Sequence, residues 1–159
     1  MPLTFIPSPT IQAEQALALY ISGSLSGSVL MNTTGSGNGN VNIYTGIDNE
    51  DKYPPAIVVN CKMAQEVYFN TRVYAFDVDV TVKGIANDET IVSYQTLAGN
   101  VFAYFTDSVS ASAAIAPFAT PIGMNFWQVQ IGHFEELHDG DAWIGTLNMK
   151  LIGALTPTS

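Results

Sequence analysis

Alternating apolar and polar residues run through the C-terminal segment, residues 126–155, and they restrict this segment to β-structure. From Trp143 onwards, one set of side chains is Trp143, Gly145, Leu147, Met149 and Leu151, and the intervening set is Ile144, Thr146, Asn148, Lys150 and Ile152. A period of two places neighbouring side chains on opposite faces of a strand, so the first set predicts a buried face and the second a wetter one. An acidic turn precedes this strand. The segment therefore predicts two long strands joined as a hairpin.

A second alternating segment, residues 73–85, predicts another long antiparallel strand. Its apolar face is Phe76, Val78, Val80 and Val82, and its polar face is Asp77, Asp79, Thr81 and Lys83. Shorter strands are predicted at residues 41–46, in the apolar run 56–62 and at residues 66–70.

Two segments predict helices. Ser8 and Pro9 are typical of an N-cap followed by proline at the first helical position, so a helix is expected over residues 9–22. Glu14 lies in its early part, where the helix dipole favours a carboxylate. A second helix is expected from the cap at residues 87–89 to about Asp107, where apolar residues recur at helical spacing. The Ala- and Ser-rich residues 108–120 are interpreted as a connection without helix.

Helices separated along the chain by antiparallel strands predict an α+β fold. We expect a mainly antiparallel sheet with two helices packed on one face and a C-terminal β-hairpin. The length of 159 residues fits a single domain, residues 1–159. Residues 1–9 contain three prolines and predict an extended N-terminal arm, and the Gly-, Ser- and Asn-rich residues 31–40 predict a flexible loop.

The charge composition restricts the possible partners. The chain has 14 acidic residues against 5 Lys and Arg, a formal net charge of −9, and only 12% charged residues, whereas an ordinary domain has about 25%. Because so few cations cannot neutralise a phosphate backbone, specific nucleic-acid binding is not expected. DNA could nevertheless pass an acidic surface without adhering to it. A surface with few charges suits burial against copies of the same chain. The sequence has no apolar stretch of about 20 residues, and its N-terminus does not resemble a signal peptide, so no membrane contact is expected.

No sequence motif predicts catalysis. The sequence lacks a phosphate-binding glycine loop and a nucleophile elbow, and Cys61, in an apolar run, is interpreted as a core residue. His133 and His138, with the acids around them, are the only cluster of metal-ligand residue types, but their spacing matches no common zinc site. We therefore expect no catalytic residue, cofactor or metal. A small metal-dependent or hydrolytic enzyme using the two histidines stays as the weaker alternative.

The aromatic residues near the strands have two interpretations. Trp127 and Trp143, with Tyr68, Phe69 and Tyr74, could anchor an interface. Their spacing on strand faces favours a place in the core instead.

Taken in order, these segments resemble one family. The order is an N-terminal helix, a proline-containing entry YPPAIVVNC into a core strand, the alternating strand VYAFDVDVTVKGI, the helix IVSYQTLAGNVFAYFTDS after an Asn-Asp-Glu cap, and the hairpin ending DGDAWIGTLNMKLIGAL. Over residues 9–155 this order resembles the tail terminator, or tail completion, proteins of the neck of long-tailed bacteriophages.

The resemblance implies a structural protein of the virion, assembled in the host cytoplasm, that forms a ring, expected to be a hexamer. The ring would cap the tail tube, join it to the head-completion or connector protein, and leave a channel through which DNA passes. A tail tube subunit or another head–tail connector is the alternative in the same class. The acidic residues that are candidates to face a partner or the channel are Asp48, Glu50, Asp51, Asp77, Asp79, Glu135, Glu136, Asp139 and Asp141.

Overall fold

The fold is taken from a computed structural model, which describes residues 8–25, 29–30, 41–46, 56–67, 72–85, 88–106, 108–139 and 142–155. In chain order the elements are α1 (Pro9–Ser24), β1 (Val29–Leu30), β2 (Asn42–Thr45), β3 (Ala56–Glu66), β4 (Val73–Ile85), α2 (Asp88–Ala103), α3 (Ser108–Ala119), a 3₁₀ turn (Thr120–Ile122), β5 (Met124–Asp139) and β6 (Ala142–Leu155).

The described strands form one six-stranded sheet in the order β1-β2-β3-β4-β6-β5. The β1, β2 and β3 strands run parallel to one another, whereas β3–β4, β4–β6 and β5–β6 are antiparallel pairs. The predicted C-terminal hairpin is confirmed as β5–β6. Its β6 strand pairs with β4 from Val73↔Ala154 to Ile85↔Ala142, so the hairpin is joined to the sheet along its whole length.

All three helices pack on one face of the sheet, which is termed the helix face. The predicted apolar face of β4 is confirmed, because its four members are buried against α1, α2 and α3 in one core. Fully buried side chains of this core include Leu17, Ile21, Ile57, Phe76, Phe105, Ile115, Met149 and Leu151. Each contributes roughly 1.5–3 kcal/mol by leaving water. The α+β class is therefore confirmed, with three helices where the sequence predicted two.

The additional helix is α3, in the segment interpreted as a non-helical connection, and that interpretation is wrong. Alanine has the highest helix propensity, and Ala111, Ile115 and Ala119 recur every four residues and are buried. Pro117, which cannot donate a backbone hydrogen bond, lies near the end of the helix. The preceding helix, α2, ends at Ala103, before the predicted end near Asp107.

The β3 strand is longer than predicted. It continues past Lys62 to Glu66, with a bulge between Cys61 and Met63. The prediction of a separate strand that begins at Glu66 is wrong, because Glu66 is the last residue of β3. The bulge lets the polar second half of the strand pair with β4 without losing the buried alternation of the first half.

The α1 helix begins where predicted, after the N-cap Ser8, and ends at Ser24, two residues later than expected. Glu14 does not serve the helix dipole, and that interpretation is wrong. Its side chain is buried, and Oε2 accepts a hydrogen bond of 2.8 Å from the N–H of Cys61 at the β3 bulge. Glu14 therefore ties α1 to the sheet.

Several predictions lie outside the described residues, namely those for residues 1–7 of the arm, for the loop at residues 31–40 and for the candidate residues Asp48, Glu50 and Asp51. Among the helices that the structure describes, none combines the length and apolar character needed to cross a bilayer.

Candidate interaction surface

The sheet face opposite the helices, termed the outer face, carries a set of paired charges. Asp77 and Asp79 on β4 alternate with buried valines, and Asn148 and Lys150 on β6 pair with them in register. Lys62, beside the bulge of β3, completes the set. These five side chains are termed the polar ladder.

The contacts within the polar ladder are short. Nδ2 of Asn148 donates to Oδ1 of Asp77 and to Oδ1 of Asp79, both at 2.8 Å. Nζ of Lys150 lies 2.8 Å from Asp77, and Nζ of Lys62 lies 3.3 Å from Asp79 and 3.8 Å from Asp77. Asn148 is itself 3% exposed, so its two hydrogen bonds hold the carboxylates in fixed positions.

A glycine on the edge strand makes room for this arrangement. Gly132 lies at a register shift of β5, between Ile131 and His133, next to Asn148. A Cβ atom at this position would collide with Oδ1 of Asn148. The position therefore favours glycine for its lack of a side chain.

The polar ladder is close to neutral because two lysines face two aspartates. Burial alone would raise the pKa of Asp77, but hydrogen bonds from Lys150 and Asn148 and the charges of both lysines outweigh it, so the pKa of Asp77 is lowered. Asp77 is therefore ionised but compensated, and the polar ladder offers a partner a patterned surface with little net negative charge.

The acidic residues near the tip of the hairpin lie on both faces. On the outer face, His133 pairs with Asn148, and Glu135 pairs with Thr146. On the helix face, Glu136 pairs with Gly145, and His138 pairs with Trp143. The imidazoles of His133 and His138 therefore point to opposite sides of β5 and cannot bind one ion together. Within the described ranges, no three His, Cys, Asp or Glu side chains are grouped to hold a metal ion.

Aromatic contacts fix the hairpin end to α2. The hydroxyl of Tyr94 donates to Oε2 of Glu136 at 2.8 Å, and the Trp143 ring stacks between those of Tyr94 and His138. Burial, then the hydrogen bond and charge of Glu136, raise the pKa of Tyr94, so it stays a neutral donor. Glu136 thus accepts a hydrogen bond within the chain, although both Glu135 and Glu136 are exposed.

Of the aromatic side chains that the structure describes, the most exposed lies on the free edge of β5. Trp127, predicted to be core, is 55% exposed, because it occupies a bulge between Phe126↔Gly153 and Gln128↔Ile152 and is left out of the alternation. Trp143, by contrast, is partly buried against the core, as is Tyr74. Tyr68 and Phe69 lie outside the described residues.

Two hollows lie beside the same stretch of β5. One, of about 370 Å³, is lined by Phe105, Thr106 and residues 128–131 of the edge strand. The other, of about 270 Å³, lies on the outer face between Met63, Ala75, Ile152 and the two edge glutamines, Gln128 and Gln130. A groove flanking an open strand edge suits an extended segment of a partner better than a compact ligand.

Cys61 lies in the core, as predicted. Burial first, and the neighbouring carboxylate of Glu14 second, raise the pKa of this thiol to about 12. It is therefore a poor nucleophile at neutral pH.

The structure brings together only part of the predicted acidic set. Asp77 and Asp79 meet in the polar ladder, and Glu135 and Glu136 lie on opposite faces of β5. Asp139 is the last residue of that strand, and Asp48, Glu50, Asp51 and Asp141 lie outside the described residues. The sequence did not predict the polar partners of the ladder, and the exposure of Trp127 agrees with the less favoured of its two interpretations. The i, i+2 repeats Asp77/Asp79 and Asn148/Lys150 were a signal for the ladder, although their register was not readable.

Comparison with known proteins adds no family. No protein-family model matches the chain, and a search of curated proteins finds no significant match.

Proposed function

We propose that this chain is a structural subunit of the neck of a long-tailed bacteriophage, a tail terminator that assembles into a ring, expected to be a hexamer, on the end of the tail tube. The ring joins the tube to the head-completion or connector protein and leaves a channel for DNA. The chain acts by assembly and not by catalysis.

One observation carries the proposal. The described helices cover a single face of the sheet, and no other described element covers the β5 edge or the outer face. This surface combines an exposed tryptophan, uncharged glutamines and a nearly neutral polar ladder. A structural subunit needs such surfaces for contacts with its copies and with proteins above and below it.

The order of the elements supports the same proposal. An N-terminal helix, the long β4 strand, a following helix and a terminal hairpin are the features on which the resemblance to tail terminators rests. The net charge of −9 supports a channel role, since an acidic lining repels DNA and allows it to slide.

Native mass spectrometry and negative-stain electron microscopy of the purified chain test the proposal. We expect closed rings of one fixed subunit number at high protein concentration. A chain that stays monomeric, even when purified tail tubes are added, would contradict it.

The same images separate the nearest alternative. The two edges of the sheet, β1 and β5, are unlike, and a contact between unlike surfaces builds either closed rings or open polymers. Long tubes growing from the pure chain would favour a tail tube subunit, whereas discrete rings favour a terminator.

A further inference from the structure

The β5 edge is an unfinished side of the sheet. Over its 16 residues β5 pairs with β6 alone, and no other described strand lies against its free side. A free edge presents unpaired N–H and C=O groups, which another extended chain can satisfy. What can cover this edge is therefore a strand.

Residues 124–131 of this edge lack the usual protection against pairing. They contain no charged residue and no proline, and Asn125, Gln128 and Gln130 are exposed. Natural edges are commonly blocked by lysine, proline or inward-pointing charge, and here only the bulge at Trp127 is present. The two hollows flanking residues 128–131 would receive alternate side chains of an added strand.

The opposite edge of the sheet, formed by β1, also lacks charged residues. The β1 strand, Val29–Leu30, lies within residues 15–47, a stretch of 33 residues that contains no Lys, Arg, Asp, Glu or His. In a chain with a net charge of −9, residues 124–131 of β5 and the β1 strand are thus both free of the charge that repels a second copy. Two such chains can approach most easily edge to edge.

The strand directions also match. The β1 strand runs parallel to β3, and the alternation through β4, β6 and β5 leaves β5 antiparallel to β1. A rotation about an axis along the strands would therefore bring β5 of one subunit against β1 of the next in the antiparallel sense, which is the more stable ladder. A contact between unlike edges repeats from copy to copy, and it closes into a ring when the rotation between neighbours divides a full turn.

We infer that residues 124–131 of β5 pair with the β1 edge of a second copy of this chain, so that the sheet continues from subunit to subunit. Trp127 packs against the neighbour at this joint, where its large ring is removed from water. This inference rests on the proposed ring and specifies the surface that builds it.

Cross-linking tests which edges meet. Gln128→Cys and Val29→Cys are made as separate proteins, since the native Cys61 is buried and reacts poorly. A short bismaleimide cross-linker tolerates a shift of a residue or two in register. We expect covalent dimers in the mixture of the two proteins and only the wild-type background in either alone. Equal cross-linking of Gln128→Cys by itself would show β5 against β5 and overturn the inference, as would no cross-link in the mixture.

Added charge provides the second test. Gln128→Glu with Gln130→Glu places two carboxylates on the free edge. The matched control, Gln95→Glu with Asn100→Asp, adds the same charge to exposed positions of α2. A carboxylate buried at a joint without a cation loses its hydration, whereas a carboxylate on the exposed surface of α2 keeps it. We therefore expect the edge variant to assemble at least about tenfold more weakly than the control, with both retaining the wild-type circular dichroism spectrum.

The outcomes separate the two proposals. If wild-type rings form and the edge variant assembles as well as its control, the edge pairing is wrong and the ring function stands. If the wild-type chain forms no ring with or without tail tubes, the proposed function is wrong, and the pairing of β5 with β1 of a second copy is wrong as well.

Discussion

Glu14 shows how one residue can set a pH dependence in the core. Its carboxyl group is buried beneath α1 and accepts the N–H of Cys61. Burial raises the pKa of Glu14, although hydrogen bonds from the backbone of Cys61 and Gly46 act in the opposite direction. The protonated carboxyl is therefore favoured in the folded chain. The stability that this group contributes is complete below its ordinary pKa of 4.5 and is lost as the pH rises through the raised value.

The Glu14→Gln variant removes this titration and keeps an oxygen acceptor for Cys61. We expect the free energy of unfolding of this variant, measured with urea and expressed relative to that of the wild type, to increase as the pH is raised from below 4.5 to 7. Glu135→Gln, which removes an exposed carboxylate, is the control for the change in net charge. Curves for the wild type and Glu14→Gln that run parallel over this range would contradict the assignment.

At the scale of the element, α3 depends on contacts that its own sequence signals weakly. Most of its residues are small, and among residues 111–119 only Ile115 places a large side chain fully in the core. The helix packs on β5 and against α1, where Phe118 lies near Tyr20. It is therefore the element that holds the edge strand on the core.

A pair of substitutions tests α3. Ile115→Ala leaves a cavity in the core and is expected to lower the free energy of unfolding by about 2–5 kcal/mol. Ala113→Gly, at an exposed position, should lower it by roughly 1 kcal/mol because glycine disfavours helix. Urea denaturation measures both effects. If neither substitution changes the stability, the segment is a loose connection as its sequence first indicated.

At the scale of the whole molecule, net charge opposes assembly. Each chain has a formal charge of −9, so six chains together carry about −54 and repel one another at low ionic strength. An interface of uncharged strand edges has no ion pairs for salt to weaken. Salt should therefore weaken only the repulsion between the negatively charged chains and leave the interface itself unchanged.

We expect the ring fraction to rise when salt is increased from about 0.02 M to about 0.5 M, as the Debye length falls from roughly 20 Å to roughly 4 Å. Sedimentation velocity at fixed protein concentration measures this fraction. Dissociation of the rings on adding salt would indicate an interface of ion pairs and would contradict the uncharged edges as the joint.

The sequence by itself determined the elements whose pattern is local. Alternation predicted the bounds of β4, from Val73 to Ile85, and proline at the first helical position, after Ser8, predicted the start of α1. Both signals act over a few residues, through the two-residue period of a strand and the geometry of a helix end.

Only the tertiary structure decided which polar groups meet and which of them are buried together. Asn148 reaches Asp77 and Asp79 because β4 and β6 pair in one register, and Glu14 enters the core because α1 crosses the bulge of β3. Trp127 is exposed because a bulge in β5 removes it from the alternation. These positions depend on pairing between residues far apart in the chain, and the local pattern carries no record of that register.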